Sequence, residues 1–211
     1  MKIKLLTAVL SSFLCVSATA GTLALNLSNV TLDVSSGHAT LGWSFSVLQN
    51  YNVIALDFID PNGANFGASH QVGIWSSVGT LLASATIPMG VPATTVGSGN
   101  QTFASAAITP LLLTPGNLYY IGGTQDSPDK VAGSSNYTSA SGITIVGKAF
   151  IVFNAGLAYP GTGGLFSDSQ YFSPNFEFTA VPTASGVPEP ASVLAVAGGL
   201  VLLALSCRSK T

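Results

Sequence analysis

His38 and His70 are the only histidines of this 211-residue chain. General acid–base catalysis commonly recruits a histidine that a carboxylate orients. His38 follows the turn-like pair Ser36-Gly37, and His70 opens an alternating segment. No Gly-x-Ser-x-Gly elbow stands ready to supply a nucleophile. Both histidines are expected to be structural or surface residues. The densest group of oxygen donors is Asp57, Asp60, Asn62 and Asn65. Carboxylates and amide carbonyls on a loop suit calcium. Their spacing is not that of an EF-hand, and Asp60-Pro61-Asn62-Gly63 is accounted for by β-turn chemistry, with proline second and glycine fourth. The expectation is no cofactor, with calcium on Asp57, Asp60, Asn62 and Asn65 as the alternative. Asp126 and Asp129 flank Ser127-Pro128, which again reads as a turn. Two carboxylates at a suitable gap can hydrolyse a glycosidic bond. Glu177 is the only glutamate between Gly21 and Gly186, and no pair is singled out. No catalytic residue and no enzyme activity are expected.

Sugar rings can be held by aromatic faces with polar neighbours. Trp75, Tyr119, Tyr120, Tyr137, Tyr159 and Tyr171 are the candidates. Tyr137, Tyr159 and Tyr171 lie in Gly/Ser-rich, loop-like surroundings and are expected to be exposed ligand-binding residues. The others sit at alternating positions, where aromatics usually face a core.

The elements that must position these residues are strands. Ala39, Leu41, Trp43, Phe45 and Val47 alternate with Thr40, Gly42, Ser44 and Ser46, the pattern of a half-buried strand. Leu23, Leu25 and Leu27 alternate in one phase and Val30, Leu32 and Val34 in the other, so a bulge or tight turn is expected at Ser28-Asn29. The continuous apolar run Val53 to Ile59 reads as a central strand. A hairpin is expected from Gln71–Trp75 and Thr80–Ile87, and further strands from 102–108, 118–122, 143–153 and 176–179. Residues 88–99 and 125–141 are expected to be long loops. About ten short strands with Gly-rich turns predict an all-β fold, an antiparallel β-sandwich with a jelly roll as the first choice of topology.

Composition limits the partners. Between Gly21 and Gly186 seven acidic residues stand against Lys130 and Lys148, a net charge of about −5. Two positive charges cannot neutralise a phosphate backbone, so nucleic acid is not an expected partner. Cys15 and Cys207 lie near the two ends, and the segment between them has no cysteine for a disulfide, thiol nucleophile or metal site.

The ends of the chain read as sorting signals. Lys2 and Lys4, the apolar stretch from Leu5 to Val16, and Ala18-Thr19-Ala20 have the order of a secretory signal peptide. Signal peptidase would recognise Ala18 and Ala20 and leave Gly21 as the new N-terminus. At the other end, Val187-Pro188-Glu189-Pro190 precedes the uncharged segment Ala191 to Ser206, and Arg208 and Lys210 follow it. As a helix this segment would be about 24 Å long, a little short for the ~30 Å of a bilayer core, which snorkelling of the flanking basic side chains or local thinning would accommodate. Trailing positive charge predicts a cytoplasmic tip, with the body of the chain outside. The two prolines hold the junction extended.

This arrangement resembles the PEP-CTERM sorting tail of Gram-negative and related bacteria, with Pro188, Glu189 and Pro190 matching its motif. The resemblance implies an exosortase-type processing enzyme as partner, a membrane tether before processing, and association with exopolysaccharide or biofilm. The core segments Ser69-His70-Gln71-Val72-Gly73-Ile74-Trp75 and Gly79 to Thr86 resemble the β-rich extracellular domain DUF4082. So do Leu113-Thr114-Pro115-Gly116 with Tyr119 to Gly123, and Pro174 to Phe178. That family implies a β fold and no established reaction. The expected organisation is a signal peptide at 1–20, a sandwich domain at 21–182, a linker with the sorting motif at 183–190, a transmembrane sorting helix at 191–207 and a basic tip at 208–211. The protein is expected to be exported, tethered in the inner membrane, then placed at the cell surface, outer envelope or extracellular matrix. Its expected role is structural or adhesive, with a carbohydrate-binding module as the alternative and a polysaccharide-degrading enzyme last.

Overall fold

Alternation of apolar and polar residues carries over directly into strands. The computed structural model describes residues 21–33, 38–60, 65–93, 95–96, 101–126, 128–153, 156–165 and 171–182. The expected signal peptide, the sorting tail and its helix, and Asn62 lie outside the described residues. Among the described residues no helix is long and apolar enough to cross a membrane. The chain divides into two units, Met1–Thr179 and Ala180–Thr211. The strands belong to the first unit, except for the last residue of the final strand.

In chain order the strands are β1 (Thr22–Leu23), β2 (Leu25–Asp33), β3 (Ala39–Val47), β4 (Tyr51–Asp60), β5 (His70–Ser76), β6 (Leu81–Ile87) and β7 (Thr95–Val96). They continue with β8 (Thr102–Leu113), β9 (Leu118–Gln125), β10 (Val131–Ser139), β11 (Ile143–Phe153), a 3-10 turn at Pro160–Thr162, β12 (Gly164–Leu165) and β13 (Pro174–Ala180). One sheet has the order β1-β13-β4-β8-β7, a second β12-β11-β3-β9-β5-β6, and β10 pairs with β2. The protein is all-β, and its strand registers are antiparallel.

The inward rows of the two larger sheets share one hydrophobic cluster. Trp43 of β3 stacks on Phe176 of β13 with centroids 6.0 Å apart, and Phe45 approaches Phe176 at 4.9 Å. Burying each of these side chains contributes about 1.5–3 kcal/mol relative to exposure.

The phase change in β2 is a bulge. Between the pairs Ser134↔Thr31 and Asn136↔Ser28, β2 carries one residue more than β10. Asn29 takes φ of 51° there, a conformation that asparagine tolerates better than most residues. The expected hairpin forms from β5 and β6, with Gly79 at φ 85° in its turn. The run 53–59 is central, flanked by β13 and β8.

The expected loop at 125–141 is corrected: it contains β10, which pairs along β2. Its Gly/Ser/Asn composition hides a strand that is held by ladder hydrogen bonds and by the buried pair Val131 and Ala132 at its start.

The closing strand is fixed by polar groups set in the core. Asn175 acts like an inserted peptide unit: its Oδ1 accepts from Leu25 N–H at 3.2 Å and its Nδ2 donates to Leu25 C=O at 2.8 Å. The Trp43 indole donates to Pro174 C=O at 2.8 Å, and Ser173 Oγ accepts from Ala132 N–H at 2.9 Å. Buried backbone groups left without partners cost about 1–3 kcal/mol each. Asn175→Ala should therefore lower the unfolding free energy by about 3 kcal/mol in chemical denaturation; a loss below about 1 kcal/mol would contradict the brace.

Candidate functional site

Both histidines end up beside aspartates of one turn. That turn, at 126–130, lies at the end of the domain where β9 stops and β10 begins. His38 Nδ1 contacts Asp126 Oδ1 at 2.7 Å on an exposed surface. His70 is fully buried and stacks on Phe58 with centroids 4.3 Å apart and planes 5° from parallel. Its Nδ1 lies 2.8 Å from Thr124 C=O and its Nε2 lies 2.9 Å from Asp129 Oδ2.

This geometry fixes a proton. A carbonyl only accepts, so Nδ1 of His70 donates. Asp129 accepts the N–H groups of Gly67 and Ala68 at 2.8 and 2.9 Å, and its Oδ2 also meets Nε2 of His70. His70 and Asp129 thus join the approach to β5 to the β9–β10 turn. Both ring nitrogens are committed, which leaves no lone pair for a base. His70 is structural, and so is Asp129.

The carboxylates considered for calcium do not converge. Asp57 and Asp60 are three apart on β4, which puts them on opposite faces of the strand. Asp60 Oδ2 accepts from Asn65 N–H at 3.1 Å, and Asn65 takes φ of 67° in the approach to β5. Among the described residues no group of three or more His, Cys, Asp or Glu is arranged to hold a metal ion.

Asp57 instead belongs to a cluster that spacing along the chain does not suggest. It is paired across the sheet with Ser105 of β8, and Ser105 Oγ donates to Glu177 Oε1 on β13 at 3.3 Å. Asp57 is fully buried, and beyond the facing Ser105 hydroxyl neither of its oxygens has a hydrogen-bond partner among the described residues. Burial, opposed by the Ser105 hydroxyl and reinforced by the Glu177 charge, pushes its carboxyl up to about 7. The one available signal is an acid in the middle of the apolar run 53–59.

The three tyrosines occupy two places. Tyr137 is on β10, half-buried, 4.9 Å from Phe172 and with Lys148 Nζ 5.1 Å from its ring centroid. Tyr171 is half-buried against the core, and its N–H donates to Lys148 C=O at 3.0 Å. Tyr159 lies on the opposite sheet's outer face, 5.1 Å from Tyr120 and 6.4 Å from Trp75, with its hydroxyl donating to Ser77 C=O at 2.9 Å. Tyr120 in turn meets Phe150 at 5.3 Å. Residues 156–163 cross this face, held where Thr40 Oγ1 donates to Gly156 C=O and accepts from Ala158 N–H. The crossing needs a shallow surface: a Cβ on Gly122 would lie 2.8 Å from Thr40 and 3.2 Å from Pro160. Trp75, Tyr120 and Tyr159 thus form an aromatic group that the expected tyrosine set only partly named.

No family model matches the chain, and comparison with characterised proteins likewise finds no match.

Asp57 generates a pH prediction. Its unfolded carboxyl titrates near 3.8 and its folded one near about 7, so between those values the folded protein keeps a proton that the unfolded chain has released. Stability falls as pH rises from about 4 to about 7, by up to about 4 kcal/mol for such a shift, and this contribution is constant above that window. Thermal melts of Asp57→Asn should match the wild type near pH 4 and exceed it near pH 8. A variant that tracks the wild type at both values would contradict the assignment.

Proposed function

We propose that this chain is an exported bacterial surface or matrix protein with a PEP-CTERM sorting tail, structural or adhesive in an exopolysaccharide setting and not an enzyme. The observation that carries the reading is the order of segments behind the last strand. After β13 ends at Ala180, the residues from Val181 to Val187 lead to Pro188-Glu189-Pro190, the uncharged segment from Ala191 to Ser206, and Arg208 and Lys210. Signal peptidase removes the first 20 residues after Ala18 and Ala20. The C-terminal helix then tethers the protein in the inner membrane until an exosortase-type enzyme acts at the extended motif. Localisation passes from the membrane to the surface, outer envelope or matrix. The fold is a β-sandwich with jelly-roll topology, a reading supported by the order β1-β13-β4-β8 in one sheet and β3-β9-β5-β6 in the other.

Replacing Pro188, Glu189 and Pro190 with alanine tests the sorting step. The variant should stay in the membrane fraction of its own cells while the wild type leaves it. Equal release of the two would sink the reading.

A carbohydrate-binding role is the second reading, favoured by the Trp75–Tyr120–Tyr159 group on an outer sheet face. Trp75 is itself buried, 4% exposed beside Tyr159, so a glycan seated on Tyr120 and Tyr159 would reach it only indirectly, and titration with the cell's own exopolysaccharide should change the tryptophan emission saturably. A change abolished by a chelator would bring calcium into the site. No change at all would leave the structural role alone.

A further inference from the structure

The strands place the charged turns at one end of the domain and the chain exit at the other. Tyr51 pairs with Leu113, Ser46 with Leu118, Ile143 with Val47 and Ser76 with Tyr119. Tyr51 also meets Phe178 at 4.6 Å. The turns 48–50, 77–79, 114–117 and 140–142 therefore gather at the end where β13 runs out at Ala180. None of these four turns contains Asp, Glu, Lys or Arg. Asp60, Asp126, Asp129, Lys130 and both histidines lie toward the opposite end, with Asp57, Lys148 and Glu177 along the strands between.

The uncharged end is also apolar at its tips. Val78 is 85% exposed, Leu48 72%, Val146 59% and Leu112 51%, and Leu81 and Leu82 are exposed beside them. Turn tips are ordinarily polar, and several exposed apolar side chains together mark an interaction surface. Two shallow depressions of about 550 and 300 Å³ lie there, and both are lined by Asn117 and Leu118. Among the described residues, the other exposed large apolar side chains are Met89 and Phe153, which belong to the opposite end.

We infer that this end is a membrane-contacting face, whose turn tips Leu48, Val78 and Leu112 enter the interfacial layer of the bilayer that holds the tail. The inference rests on the tethered state proposed above. Two observations choose lipid as the occupant. The chain leaves this face only about ten residues before the uncharged segment that starts at Ala191, which limits how far the face can stand from the bilayer. The four turns of the face carry no charged side chain to attract a charged partner, and the described acidic groups that an anionic surface would repel lie away from them. Contact is therefore apolar and insensitive to salt.

The test uses the chain from Gly21 to Thr211 with Cys207→Ser, reconstituted in phosphatidylcholine vesicles. A single cysteine at Val78 (Val78→Cys) or at Met89 (Met89→Cys) carries an environment-sensitive fluorophore. The Val78 probe should shift to shorter wavelength and be quenched by a nitroxide at the lipid headgroup level, at low and high salt alike. The Met89 probe should do neither. Adding Leu48→Asp and Leu112→Asp should return the Val78 probe to a water-like signal without releasing the protein. A Val78 probe that reads water while the chain resists alkaline extraction overturns the membrane face and leaves the tether standing. Release of the chain on alkaline extraction overturns the tether, and the face with it. A blue shift that grows with protein concentration without nitroxide quenching would assign the face to a second copy and overturn lipid as its occupant.

Discussion

The entry into β13 is the constraint on which the rest of the domain depends. This last strand is inserted between β1 and β4, so the first sheet is incomplete until the end of the domain has been made. Ser173, Pro174 and Asn175 meet backbone or indole groups of β10, β3 and β2, and Ser173 C=O also accepts from Ile59 N–H at 2.9 Å. Such buried polar bonds add little net stability when made, but are expensive to leave unmade. They select one register for a strand that meets Leu25 of β2 from 150 residues away in sequence. Phe176 and Phe178 then seat against Trp43, Phe45 and Tyr51.

Polar side chains within the domain are used chiefly for such fastening. His70 and Asp129 join two connections at the charged end, and these polar side chains are tolerated in the interior because both ring nitrogens and the carboxyl group are partnered. Asp57 is the exception. Buried beside Ser105 and Glu177, it is easier to keep as the neutral acid than as a charge. Natural domains carry such costs where another requirement outweighs stability.

Much of the fold is legible in the sequence because the period-two signal is strong. The alternation at 39–47, the apolar run at 53–59 and the hairpin around Gly79 correspond to β3, β4 and the β5–β6 pair. The phase change at Ser28-Asn29 corresponds to the bulge, since a bulge is what moves a strand's apolar set to the other face. β10 is illegible because its residues beyond Ala132 are mostly small and polar and its order comes from pairing with β2. The placement of Tyr137 is hidden with it. The site chemistry is less legible still. His70 and Asp129 are 59 positions apart, and no local pattern announces a contact made through sheet topology. The calcium set Asp57, Asp60, Asn62 and Asn65 looks dense along the chain, but a strand running on to Asp60 points its two acids to opposite faces. The proposed sorting signals rest on composition and order alone, in segments outside the described residues.

A domain closed by its last strand carries a tail that starts directly behind it, and the state of that tail in the finished protein is the most direct test of the proposed sorting. The measurement is the intact mass of the protein recovered from the surface of its own cells. The expected result is a chain that begins at Gly21 and ends before Ala191. A mature protein that retains residues 191–211 would contradict it.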